Sequence, residues 1–70
     1  MKKITAPMAG TVLKVLVEVD ANVSEGQAVI LLESMKMEIP IESNWNSRVE
    51  SILVSVGDFV DQDDDLIILA

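Results

Sequence analysis

The chain has 70 residues, half of them apolar, with no cysteine, no histidine and a formal charge of −7. That length holds one small domain, spanning 1–70, and no second core. The missing cysteine and histidine remove disulfides, thiolate nucleophiles, the commonest general base and the commonest zinc ligands, so most hydrolase and metalloenzyme mechanisms are excluded.

In chain order, Met1-Lys2-Lys3-Ile4-Thr5 is basic but lacks the long apolar core of a signal peptide, which points to a cytoplasmic protein. The patterning predicts strands over 2–5, 11–19, 28–34, 37–42, 48–56 and 65–69. Turn chemistry separates them at Pro7–Gly10, Asp20–Asn22, Ser24–Gly26, Ser43–Ser47, Gly57-Asp58 and Asp63–Asp65. Val15, Val17 and Val19 alternate with period two, as do Ile52, Val54 and Val56, while Leu16 and Leu53 take the opposite face. Such strands are buried on both sides or cross between two sheets. No apolar run exceeds five residues, as at Ala28–Leu32, so no segment inserts directly into a membrane as a helix. Five basic residues face twelve acidic ones, and only Trp45 and Phe59 could stack on bases, which argues against nucleic acid as a partner. Asp61-Gln62-Asp63-Asp64-Asp65 lacks the glycine and distal glutamate of a calcium loop and reads as a solvated turn. All of the net charge comes from residues after Lys36.

Sliding the sequence on itself by 37 places lays Val12–Glu33 over Val49–Ala70, with seven identities in 22 pairs. All seven are apolar: Val12/Val49, Leu16/Leu53, Val17/Val54, Val19/Val56, Val23/Val60, Ile30/Ile67 and Leu32/Leu69. Two copies make no solenoid, since stacked repeats need three or more units. The pattern predicts an all-β, antiparallel, two-layered fold with pseudo-two-fold symmetry. Ser34-Met35-Lys36-Met37-Glu38 joins the halves, and its two-fold mate is the open pair of chain ends. A hairpin at this segment should therefore stand distant from both termini. Met37, Ile39 and Ile41 alternate with Glu38, Pro40 and Glu42, which places Lys36 on the polar side, at the first exposed position beyond the turn. Pro40 cannot donate a ladder hydrogen bond, so its strand should lie at an edge on at least one side.

The segment Glu33-Ser34-Met35-Lys36-Met37 resembles the attachment signature of biotin carboxyl carrier domains, usually Glu-Ala-Met-Lys-Met, in the biotinyl/lipoyl family. Ala6-Pro7-Met8-Ala9-Gly10-Thr11-Val12 is similar to that family's opening segment, and 34 residues follow Lys36, near the usual spacing to the domain's end. The resemblance covers essentially the whole chain. It implies a flattened β-barrel of the barrel-sandwich hybrid type, with the attachment lysine on a hairpin turn. It further implies covalent biotin on Lys36, recognition through the flanking Met35 and Met37, and Glu33 as a contact for the ligase. The chain itself would not be an enzyme: a biotin protein ligase would modify Lys36, and the arm would carry a carboxyl group from a biotin carboxylase to a carboxyltransferase or decarboxylase. Unbranched, polarisable methionines suit a surface gripped by several partners. Departures are Ser34 for alanine, and Asp20, Ser47 and Asp63 where family members often have glycine. Aspartate tolerates positive φ, so Asp20 and Asp63 serve as turn substitutes, whereas Ser47 implies a different local turn. No insertion could form the protruding thumb of some bacterial carriers.

The competing function is a lipoyl carrier of an acyl-transfer or glycine-cleavage complex, with the same fold and the same lysine. Lipoyl domains typically carry Asp-Lys-Ala at the tip, against Met35-Lys36-Met37 here. A third class, the unmodified hybrid barrel of transporter adaptors, seldom has a lysine at this pivot.

Overall fold

The computed structural model describes residues 2–70, which form eight strands and, among the described residues, no helix. These are β1 (Lys2–Thr5), β2 (Gly10–Val15), β3 (Asn22–Val23), β4 (Ala28–Ser34), β5 (Met37–Glu42), β6 (Ser47–Ile52), β7 (Phe59–Val60) and β8 (Asp65–Leu69). They build two four-stranded antiparallel sheets with orders β1-β8-β6-β3 and β5-β4-β2-β7. Adding 37 converts β2 into β6, β3 into β7 and the start of β4 into that of β8, while β1 maps onto the second half of β5. The two sheet orders are therefore images of one another, and the predicted two-fold is present strand by strand.

The symmetry extends below the level of strands. The register of β2 on β4 slips between Val12 and Lys14, and that of β6 on β8 slips between Val49 and Ser51, the equivalent places. Positive φ recurs at Asp20 (74°) and its mate Gly57 (94°), and at Gly26 (85°) and its mate Asp63 (71°). Asp20 and Asp63 thus do the conformational work of glycine, as expected. Ser47 does not: its φ is not positive and it opens β6 in extended geometry.

Two predicted strands are shorter than expected. The ladder ends at Val15 and Ile52 rather than near 19 and 56. Beyond these points the chain crosses to the opposite sheet, so Val17 and Val54 still point toward the core while Leu16 and Leu53 face outward. Alternation survives a crossing because it needs only an extended backbone, not a hydrogen-bonded neighbour. The two-residue strands β3 and β7 fall within or beside predicted turns. They are held by a few backbone bonds, such as Val49 N–H to the Ala21 carbonyl at 2.9 Å and its mate, Val12 N–H to the Asp58 carbonyl at 2.8 Å.

One core lies between the sheets, with Val12, Val29, Ile30, Leu32, Val49, Leu66, Ile67 and Leu69 at its centre. Each such side chain contributes roughly 1.5–3 kcal/mol by leaving water. The buried polar side chain Ser43 is satisfied locally: its hydroxyl donates to the Trp45 carbonyl at 2.7 Å and accepts from the Trp45 N–H at 3.1 Å. The Asp61–Asp65 run is a capped turn in which the Asp64 carboxylate accepts from the Asp61 N–H at 2.9 Å. Among the described residues, no group of three acids is placed to hold a cation, and no helix is long and apolar enough to cross a membrane.

Candidate functional site

Strands β4 and β5 pair from Ala28↔Glu42 to Ser34↔Met37, leaving two residues, Met35 and Lys36, to reverse the chain. Both have positive φ, 53° and 64°. That is the signature of a type I′ hairpin turn, whose twist matches the flanking strands and which is usually made from asparagine and glycine. Two ordinary L-residues in the left-handed region carry a cost of order 1 kcal/mol each. The structure thus bears strain at the tip in order to present these two side chains.

Lys36 stands on the hairpin turn, as the resemblance implies, and is the turn's second residue rather than the first exposed position beyond it. The strand periodicity misplaced it because alternation stops where the turn begins. Its side chain is exposed, and among the described residues no hydrogen bond or ion pair engages its ammonium group. Met35 is 92% exposed and Met37 64% exposed. Met37 was expected on the apolar face with Ile39 and Ile41; it follows their phase but sits past the rim of the core, whereas Ile41 is buried. Glu33 lies directly across from Glu38, both exposed, one residue behind the Ser34↔Met37 pair. Lysine, both methionines and Glu33 therefore come together on one hairpin end.

The tip is anchored from below. Gly10 is buried on β2, and a Cβ there would lie 2.5 Å from the Glu33 carbonyl oxygen and 3.0 Å from Leu32 Cγ. Only glycine lets β2 come this close to the base of the hairpin. Pro40 is on β5, an edge strand, as its missing donor required. Lys2 and Leu69 pair in the other sheet, so the first described strand and the last lie outside the strand pair that carries Lys36. A groove of about 360 Å³ where β1 and β5 approach, lined by Thr5, Pro7, Pro40, Glu42 and Asp63 among others, does not include Lys36. What this geometry can do chemically is narrow: it offers one amine on a stem, outside the groove and with no hydrogen-bonded or ion-paired partner among the described residues.

An amine held out on a strained two-residue turn suits attachment of a tethered group. The family described as "Biotin-requiring enzyme", the biotin/lipoyl family, matches residues 2–69. The biotin carboxyl carrier protein of Streptococcus mutans is 49% identical over 65 residues, covering 93% of this chain and 50% of that protein. The biotin/lipoyl attachment protein of Bacillus subtilis is 40% identical over 67 residues, covering 96% of this chain and 92% of its own length. In the crystal structure of Kluyveromyces lactis urea carboxylase, a region superposes with a TM-score of 0.93 at 26% identity, covering 99% of this chain and 6% of that one. The chain thus spans half of one curated relative and a small part of a large carboxylase. Fold and site define a carrier domain of the type found in biotin-dependent carboxylases. The chain belongs to the biotin/lipoyl attachment family.

Proposed function

We propose that Lys36 is the residue to which biotin is joined, through an amide formed at Nζ. The observation that carries this reading is the exposed lysine in the two-residue turn at the end of β4 and β5, free of any partner among the described residues. The site fits the group: a long amine on a convex tip can enter a ligase cleft, and nothing of the chain's own fold obstructs it. A biotin protein ligase activates the carboxyl group of biotin with ATP. The Lys36 ammonium first loses a proton to the ligase or solvent, Nζ then attacks the activated carbonyl carbon, AMP leaves, and a second proton is lost from the nitrogen as the amide forms. Met35 and Met37 provide adaptable apolar contact on either side of the lysine, and Glu33 provides a negative contact for the ligase.

Bound there, biotin supplies the chemistry of accepting and releasing a carboxyl group. The chain holds the point of attachment rigid, keeps it clear of the barrel, and delivers it to two separate enzyme sites. These are a biotin carboxylase and a carboxyltransferase or decarboxylase. Tethering raises the effective concentration of the carried group at both, with no catalytic side chain on the carrier. The Bacillus subtilis relative, named for both biotin and lipoyl attachment, favours a second reading in which the same lysine carries lipoate.

Intact-mass spectrometry after co-expression with a biotin protein ligase tests the assignment. The expected result is a gain of one biotinyl group in the wild type and none in Lys36→Arg. A gain at Lys2, Lys3 or Lys14, or a lipoyl-sized gain only, overturns it.

A further inference from the structure

The internal two-fold provides a control for exposed apolar side chains that have a mate. Leu16 and Leu53 are 48% and 51% exposed, and Val19 and Val56 are 52% and 65% exposed; each pair consists of mates, apolar in both halves. Their exposure accompanies the crossing segments wherever those occur. Phe59 is different. It is 67% exposed on β7, and its mate on β3 is Asn22, so this position of the fold accepts an exposed polar residue. Packing does not require the ring.

The register places Phe59 relative to the tip. Phe59 pairs with Thr11, Thr11 with Glu33, and Glu33 with Glu38, so one row crosses the sheet from β7 to β5. Directly paired residues share a face, and in this row Phe59, Glu33 and Glu38 are exposed. Two strand spacings, about 10 Å, separate Phe59 from Glu33. The row runs immediately behind the turn that carries Lys36. In the other sheet the equivalent row is Asn22, Arg48 and Ala70, with neither an aromatic ring nor a carboxylate side chain. Two like charges set directly opposite each other in Glu33 and Glu38 oppose pairing of β4 and β5, and a basic partner would relieve that repulsion.

We infer that the outer face of the β5-β4-β2-β7 sheet, with Phe59 as its apolar anchor and Glu33 and Glu38 as its charged rim, is a docking surface for the biotin protein ligase. The complementary ligase surface carries basic groups facing the carboxylates and an apolar recess for the ring. An enzyme closing on Lys36 can reach this row, because a standard interface buries about 800 Å² on each partner. Exposed aromatic anchors near an interface centre dominate binding energy more often than their number suggests. The inference rests on Lys36 being the modified residue.

The test uses purified wild type, Phe59→Asn, Phe59→Tyr and Asn22→Phe with a biotin protein ligase, ATP and biotin, following biotinyl incorporation by intact mass. Asparagine is the residue that the two-fold mate already carries, so Phe59→Asn should keep the thermal midpoint of the wild type. Its kcat/KM as a ligase substrate should fall about tenfold or more, a change of about 1.4 kcal/mol in transition-state binding. Phe59→Tyr, which keeps the ring but brings a hydroxyl into the apolar recess, should fall less than Phe59→Asn, and Asn22→Phe, on the other sheet, should change nothing. If Phe59→Asn unfolds, Glu38→Gln supplies the same test through a lowered kcat/KM and a weaker salt dependence. Unchanged kcat/KM in the folded variants overturns the docking surface while leaving Lys36 as the attachment site. A wild type that gains no biotin overturns both.

Discussion

Gly10 and Ser47 occupy equivalent places on β2 and β6, yet they resolve the same close approach in opposite ways. At Gly10 the neighbouring carbonyl belongs to Glu33, and a Cβ would come within 2.5 Å of it. The mate of Glu33 is Ala70, and there the Ser47 hydroxyl donates to the carbonyl of Ala70 at 2.6 Å. At Ala70 the approach leaves room for a side chain, and the serine hydroxyl fills it with a hydrogen bond. The hairpin base leaves none, because Glu33 is tied on both sides, to Thr11 and to Glu38. The serine at this place is therefore accommodated by a hydrogen bond within the strand pair, not by a different turn. Gly10→Ala is expected to destabilise the fold by about 1–3 kcal/mol through overpacking. Ser47→Ala should cost only about 1 kcal/mol, the worth of one partly exposed hydrogen bond. Urea denaturation of the two variants checks the ranking, and equal costs would mean that β2 and β6 are equally free to shift.

At the level of elements, the 37-residue repeat made most of the architecture legible, because identical apolar residues at equal spacing require equivalent burial. Ile30 and Ile67 illustrate the point: identical in sequence, both fully buried, each on a strand with a neighbour on either side. What the repeat left open was where a ladder stops. Val17 and Val19 continue the period of Val15, but the bulge at Leu13 twists β2 and the chain departs for the other sheet after Val15. The short strands β3 and β7 were hidden for a related reason, since two residues carry no readable period. The site was legible as residues, Met35-Lys36-Met37, and also as a two-residue gap between strands. Its conformation was not, because type I′ geometry is announced by asparagine and glycine, which are absent here. Equivalence of the halves can be measured directly. Ile30→Val and Ile67→Val should each cost about 0.5–1.5 kcal/mol, and the two costs should agree within a few tenths. A large difference in chemical denaturation would show that one half dominates the core despite the matching burial.

Across the whole molecule, the charge that follows Lys36 in sequence does not form an acidic half in space. Strands from both halves interleave, so the β1-β8-β6-β3 sheet holds Lys2, Lys3 and Arg48 against Glu50 and Asp65, while the other sheet holds Lys14 against Glu33, Glu38 and Glu42. Most of the excess acid instead sits in connections, at Asp58, Asp61, Asp63 and Asp64. Among the described residues two ion pairs offset part of this, Lys3–Asp65 at 3.3 Å and Arg48–Asp20 at 2.8 Å, and both are substantially exposed. Pairs of that kind contribute about 0–1 kcal/mol each, and salt weakens them. Salt equally weakens the mutual repulsion of a chain at −7, where the acids outnumber their partners. The Debye length shrinks from about 30 Å at 0.01 M to about 10 Å at 0.1 M, so repulsion across a body 30 Å long is screened well before contact pairs at 3 Å are. Repulsion is therefore the term that salt removes first. Moving from about 0.01 to 0.15 M sodium chloride should raise the thermal midpoint by several degrees, since 1 kcal/mol corresponds to about 4–8 °C in a chain of this size. Calorimetry at the two salt concentrations decides it, and a fall in the midpoint would mean that the two ion pairs outweigh the repulsion between the acidic turns.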